Sequence, residues 1–184
     1  MTNFEEFVDQ HLKSIRVNTG IIQYAPTQNF LGLVVVYQVG LGRQVVAVLD
    51  FLLEKVVWTD DLKTRGKVEH WGLPIFKKID GVSAWRGDCD DFMAAFRLII
   101  RKLGWDERVL RKAVCFVPTE KKPKPDFDGD INHALLCVNF SSGLLFLDNR
   151  FHRPMPLSRL RQQGYTGFSV CSAVDGSWQA VNPV

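Results

Sequence analysis

Three side chains in this sequence are of the types that thiol chemistry needs: Cys89, His133 and Asp148. Cys89 sits in the run GDCDDF, immediately before a stretch of helical periodicity, so the spacing predicts it at a helix N-terminus. Unpaired N–H groups and the positive end of the helix dipole favour thiolate over thiol there. The same N–H groups can hold an oxyanion once a carbonyl is attacked. His133 opens the strand HALLCVNF after a polar loop, and alternation puts His133, Leu135 and Cys137 on one face. The SSG turn folds LLFLD back antiparallel. A two-residue loop at Ser141 and Ser142 pairs Phe140 with Gly143 and brings Asp148 opposite Leu135, diagonally beside His133. A shift of one residue would move Asp148 to the other face unless a bulge at Gly143 restored the alignment.

Together the three supply a thiolate that attacks a carbonyl, an imidazolium that protonates the leaving amine, and a carboxylate that fixes the imidazole tautomer. Each alone has a plainer reading. Cys89 is otherwise a buried helix residue, His133 a satisfied histidine, and Asp148 a turn former at a strand end. Asp90 and Asp91 oppose a thiolate by charge, yet are also good first-turn helix residues. Asn149 either hydrogen-bonds His133 or turns the chain, and Trp71 or Trp85 either lines a groove and donates to an oxyanion or packs under the helix.

Several elements must position these groups. Phe4, Phe7, Val8 and Leu12 predict a short amphipathic helix, and residues 15–39 two strands or a hairpin. Val45, Val46, Leu49, Leu52, Leu53 and Val56 predict a helix from Gly42 to about Trp58. The polar, Trp-dotted segment that follows reads as an extended surface run into residue 88. Phe92, Phe96, Ile99, Ile100 and Leu103 make one helical face, ended by Gly104. Strands follow at AVCFV (113–117), HALLCVNF, LLFLD and GFSVCSAV. Helices first and an antiparallel sheet afterwards is an α+β layout. DFDGD (126–130) has carboxylates enough for a cation loop but lacks the EF-hand ligand series, and reads as an Asp-Gly turn.

The chain has 184 residues, 46% of them hydrophobic, enough for a single domain with one sizeable core and residues 1–40 open to reading as an appendage. A formal charge of +3 is too small for a nucleic-acid surface, although Arg150, Arg153, Arg159 and Arg161 cluster where an acidic partner could bind. Cys89, Cys115, Cys137 and Cys171 form no CxxC pair and no zinc spacing, and free thiols in a reducing compartment are expected. The acidic, amphipathic N-terminus is unlike a signal peptide, and the apolar runs are too short to span a bilayer. A cytoplasmic or virus-encoded protein is expected, without membrane insertion and with oligomeric state open.

GDCDDF with its helix, then HALL, then LFLDNR, resembles the bacterial transglutaminase-like cysteine peptidases, relatives of the periplasmic protease that releases large biofilm adhesins. WTDD and HWGLP upstream resemble that family's approach to its cysteine, and the likeness covers roughly residues 45–150. The resemblance implies a papain/transglutaminase-like α+β fold, with a helix-borne cysteine packed on an antiparallel sheet carrying His and Asp. It implies Cys89 as nucleophile, His133 as base and Asp148 as third member. It also implies calcium held by the acidic residues flanking the cysteine, Asp88 and Asp90; the chemistry itself requires no cofactor. The expected activity is hydrolysis of an amide bond in a protein or peptide substrate through an acyl-enzyme. Transglutaminase-type transfer, an amidase acting on a cell-wall peptide, and a non-catalytic binding module are the alternatives.

Overall fold

The computed structural model describes residues 3–15, 23–28, 34–37, 41–66, 71–105, 110–126, 130–140, 143–171 and 176–181. The chain runs through helix α1 (Phe4–Ile15), strands β1 (Gln23–Gln28) and β2 (Val34–Tyr37), and helix α2 (Leu41–Lys55). Strand β3 (Val56–Trp58), helix α3 (Asp61–Arg65) and strands β4 (Ile75–Ile79) and β5 (Val82–Gly87) lead into helix α4 (Cys89–Lys102). Then come β6 (Leu110–Phe116), β7 (His133–Phe140), β8 (Gly143–Leu147), β9 (Met155–Pro156), α5 (Leu157–Gln162), β10 (Thr166–Cys171) and β11 (Trp178–Ala180).

The architecture is α+β. The larger sheet runs β1-β2-β7-β6-β10-β11, with β8 on β7 and β9 on β8; the smaller runs β3-β5-β4. Most pairs are antiparallel, but β2 meets β7 in parallel at Val36 and Phe140, and β3 pairs with β5 in parallel. The expected α+β layout with antiparallel pairing is present, and the two parallel pairs add to it. Strands β1 and β2 pair with each other, and β2 joins the main sheet at the far end of β7.

Alternation on β7 divides the interior in two. Leu136 and Val138 face α2 and α4 and pack with Leu49, Leu52, Phe96, Ile99 and Ile100. Leu135 and Cys137 face the other way, toward Phe146, Leu160, Tyr165 and Phe168. Ile99 and Ile100 are fully buried, and each contributes about 1.5–3 kcal/mol on that account. That outweighs the ~1 kcal/mol of a helix cap, so packing rather than capping fixes where the N-terminus of α4 points. The helix stops as expected, with Leu103 at its C-cap and Gly104 beyond it at φ 93°.

The segment between Trp58 and Asp88 is not an extended surface run. Asp60 caps α3 by accepting the Lys63 N–H at 2.9 Å, and Gly66 closes it in the left-handed region at φ 70°. Strands β4 and β5 form a hairpin around Asp80 and Gly81, both at positive φ. This is the Asp-Gly turn whose backbone twist suits a two-residue hairpin. No described helix is long and apolar enough to cross a membrane.

Candidate active site

Strand β5 delivers the chain to α4 with no connecting loop, because Gly87 ends the strand and Asp88 is the helix N-cap. Only glycine fits position 87. A Cβ there would lie 2.5 Å from Asp91 Cβ and 2.7 Å from Asp91 Oδ2. Asp88 has extended backbone, yet its carboxylate makes no capping hydrogen bond to the helix. Cys89 is the first helical residue and is half-buried. The N-terminal amides beside its sulfur are thus not taken up by the N-cap side chain.

The β7–β8 hairpin has the register expected from SSG, with Phe140 paired to Gly143 and Leu136 to Leu147. Asp148 follows directly. His133 Nε2 and Asp148 Oδ1 are 3.0 Å apart, with the His133 side chain 10% exposed and that of Asp148 fully buried. Two further donors hold the carboxylate: the Arg150 N–H reaches Oδ1 at 2.9 Å and the Tyr165 hydroxyl reaches Oδ2 at 2.6 Å. Burial alone would raise the Asp148 carboxyl. The bonds from His133, Tyr165 and Arg150 outweigh it and hold the group below the ordinary carboxylate range. Asp148 is thereby kept ionised as a fixed acceptor for one imidazole nitrogen, leaving Nδ1 as the nitrogen available to a thiol.

His133 shares the parity of Leu135 and Cys137, whose side chains lie on the sheet face away from α4. As the first residue of β7 it stands at the rim, where the two faces meet. Cys89 and His133 accordingly border one cleft of about 420 Å³, with Trp58, Val117, Thr119, Asn132, Asn149 and Arg150 completing its walls. Trp58 is 58% exposed and pairs across β3–β5 with Gly87, two residues before the cysteine. Of the two readings of Trp71 and Trp85, cleft lining is not the one the structure supports. Trp85 is buried against Phe4, Phe7 and Phe76, and Trp71 lies under the Lys112 ammonium at 4.8 Å, so neither lines this cleft. Asn149 does line it and makes no bond to His133; its Oδ1 is buried without a hydrogen-bond partner.

Carboxylates crowd the other side of Cys89. Asp88, Cys89 and Asp90 bring ligand atoms within 4.8 Å of one another, and so do Asp61, Asp88 and Asp91. Arg65 offsets part of this charge, reaching Asp61 Oδ1 at 3.3 Å and Asp91 Oδ1 at 3.0 Å. Asp61 Oδ2, Asp88 Oδ1, Asp90 Oδ2 and Asp91 Oδ2 are buried without hydrogen-bond partners. Burial, then a hydrogen bond and repulsion from Asp88, push the Asp90 carboxyl well above the ordinary range. Burial likewise raises Asp91, to about 6, against the opposing pull of Arg65. The Asp61, Asp88 and Asp91 set offers oxygen alone, which suits a hard divalent cation.

None of the four cysteines is in a disulfide. Burial pushes the Cys115 and Cys137 thiols far up, which makes them poor nucleophiles. His11 meets the Phe7 carbonyl and His152 meets Asp50, each away from the cleft, and His70 lies outside the described residues. Of DFDGD, residues 127–129 lie outside the described residues, and Asp126 and Asp130 both engage Lys122. The expected arginine cluster is dispersed in function: Arg150 borders the cleft, Arg159 reaches Gln162, and Arg161 donates to the Val181 carbonyl. Sequence reasoning missed Tyr165, Asp61 and Arg65. No protein-family model matches the chain, and no curated protein matches it in sequence.

Proposed function

We propose that the chain is a thiol-dependent peptidase of the transglutaminase-like kind, with Cys89 as nucleophile, His133 as base and acid, and Asp148 as orienting carboxylate. The observation that carries this reading is the 3.0 Å bond between His133 Nε2 and Asp148 at the rim of the cleft that Cys89 also borders. The finer fold assignment, papain/transglutaminase-like, rests on the same arrangement: a cysteine at a helix N-terminus, and a histidine and aspartate on the sheet beneath.

In this reading the Cys89 thiolate attacks the scissile carbonyl, forming the C–S bond. The oxyanion is held by N–H groups at the start of α4. His133 protonates the departing amine as the C–N bond breaks, leaving an acyl-enzyme. It then takes a proton from water, whose oxygen attacks the thioester, and returns that proton to the sulfur. Asp148 keeps the ring in one tautomer throughout.

The residues fit a calcium ion. Asp61, Asp88 and Asp91 each present a buried, unpartnered oxygen, and Asp90 lies beside them in a second set that also includes the Cys89 sulfur. A bound cation would offset the carboxylate field that otherwise opposes a thiolate at Cys89.

The test is digestion of a defined peptide mixture in H2(18)O with calcium present, read by mass spectrometry. Peptidase action predicts new C-termini carrying one heavy oxygen, lost in Cys89→Ala. Products carrying an added amine instead would assign the acyl-enzyme to transfer. No new termini and no adduct would contradict the reading.

A further inference from the structure

We infer that Arg150 makes this cleft selective for peptides bearing an acidic side chain beside the scissile bond, an inference that rests on the peptidase reading. The cleft walls are Trp58, Val117, Thr119, Asn132, His133, Asn149 and Arg150 with Cys89. Arg150 is the one Lys or Arg among them, and no Asp or Glu joins it. Asp148, two residues before Arg150, is engaged by the His133 ring, the Tyr165 hydroxyl and the Arg150 backbone N–H rather than by the Arg150 side chain.

Position follows from the local fold. The Arg150 N–H to Asp148 Oδ1 bond and the Phe151 N–H to Asp148 carbonyl bond at 3.1 Å pin residues 148–151 as a tight turn directly after β8. The guanidinium carbon lies 5.7 Å from the centroid of the Tyr165 ring, a cation–π distance that orders the side chain without neutralising it. Arg150 is exposed. It is therefore a positioned cation with open hydrogen-bonding capacity on the wall of a cleft that holds the nucleophile. A guanidinium fork matches a carboxylate in both charge and shape.

Peptide-resolved alkylation tests the charge directly, using iodoacetate and iodoacetamide as an anionic and a neutral probe of the same sulfur. The expected iodoacetate-to-iodoacetamide rate ratio at Cys89 falls roughly threefold in Arg150→Gln, the order expected of one unit charge across a water-lined cleft. Arg150→Lys retains the ratio, and added salt erases the difference. In the peptide digest, wild-type cuts are enriched beside Asp and Glu, and Arg150→Gln abolishes that enrichment. A ratio identical in wild type and Arg150→Gln overturns the inference whether or not any peptide is cut, and so do wild-type cuts with no acidic preference. A Cys89 that reacts with iodoacetamide no faster than Cys171 overturns the peptidase reading instead, and the same maps report it.

Discussion

Tyr165 donates its hydroxyl to the Asp148 oxygen that His133 does not use, at 2.6 Å, with both side chains buried. The carboxylate beside the histidine is thus held from two elements, β8 and the turn before β10, and its orientation is set before any substrate arrives. Tyr165→Phe removes one donor and leaves a buried carboxylate oxygen unsatisfied. We expect a stability loss of about 1–3 kcal/mol in urea unfolding and a roughly tenfold fall in kcat. Asp148→Asn, which offers the imidazole the wrong partner, lowers kcat on the order of 10³–10⁴-fold. Equal kcat for wild type and Tyr165→Phe would show that the hydroxyl does not position the pair.

Gly87 is required by space rather than by backbone freedom. Since a Cβ there meets Asp91 Cβ at 2.5 Å, Gly87→Ala must push Asp91 away and disturb its 3.0 Å contact with Arg65. The expected cost is about 1–3 kcal/mol, together with weaker calcium binding by calorimetry. Unchanged stability and affinity would mean that the start of α4 yields more easily than its packing suggests.

The carboxylates beside Cys89 give a pH dependence with a definite sign. Asp90 and Asp91 are raised in the folded state, Asp91 from 3.8 to about 6. A raised carboxyl contributes stability fully below its unfolded value and loses it as pH climbs through the folded value. Without divalent cations, Tm should therefore fall as pH rises from about 4 to 6, and further as Asp90 ionises. Asp91→Asn should flatten the first part of that fall. Calcium should recover the loss near neutral pH, because it binds the ionised form. A Tm at neutral pH indifferent to both calcium and chelator would contradict the site.

Much of this arrangement is legible in the sequence, and the reasons are local. The apolar spacing from Phe92 to Leu103 marks α4 because one face must be buried. The SSG turn fixes the β7–β8 register because side chains alternate with period two. The Asp80-Gly81 hairpin reads in the sequence as an extended surface run, because the charges of β4 and β5 obscure their alternation. Helix α3 is only five residues long, too short to show a period, so Arg65 carried no signal and Asp61 none beyond its place in WTDD. Tyr165 joins Asp148 through tertiary packing of the chain after α5, and no spacing along the sequence points to that contact. Trp58, rather than Trp71 or Trp85, reaches the cleft because β3 pairs in parallel with β5, a long-range contact that local pattern does not report.

The central claim is that Cys89 and His133 act as a thiolate–imidazolium pair. Its most direct test is the pH profile of Cys89 alkylation by iodoacetamide, resolved by peptide mapping, in wild type and His133→Ala. The pair predicts rapid alkylation of Cys89 well below the ordinary thiol range near 8.5, at least tenfold faster than Cys171 at pH 6 and slowed to the Cys171 rate in His133→Ala. A Cys89 profile that rises only near 8.5 and is the same with and without His133 would contradict the account.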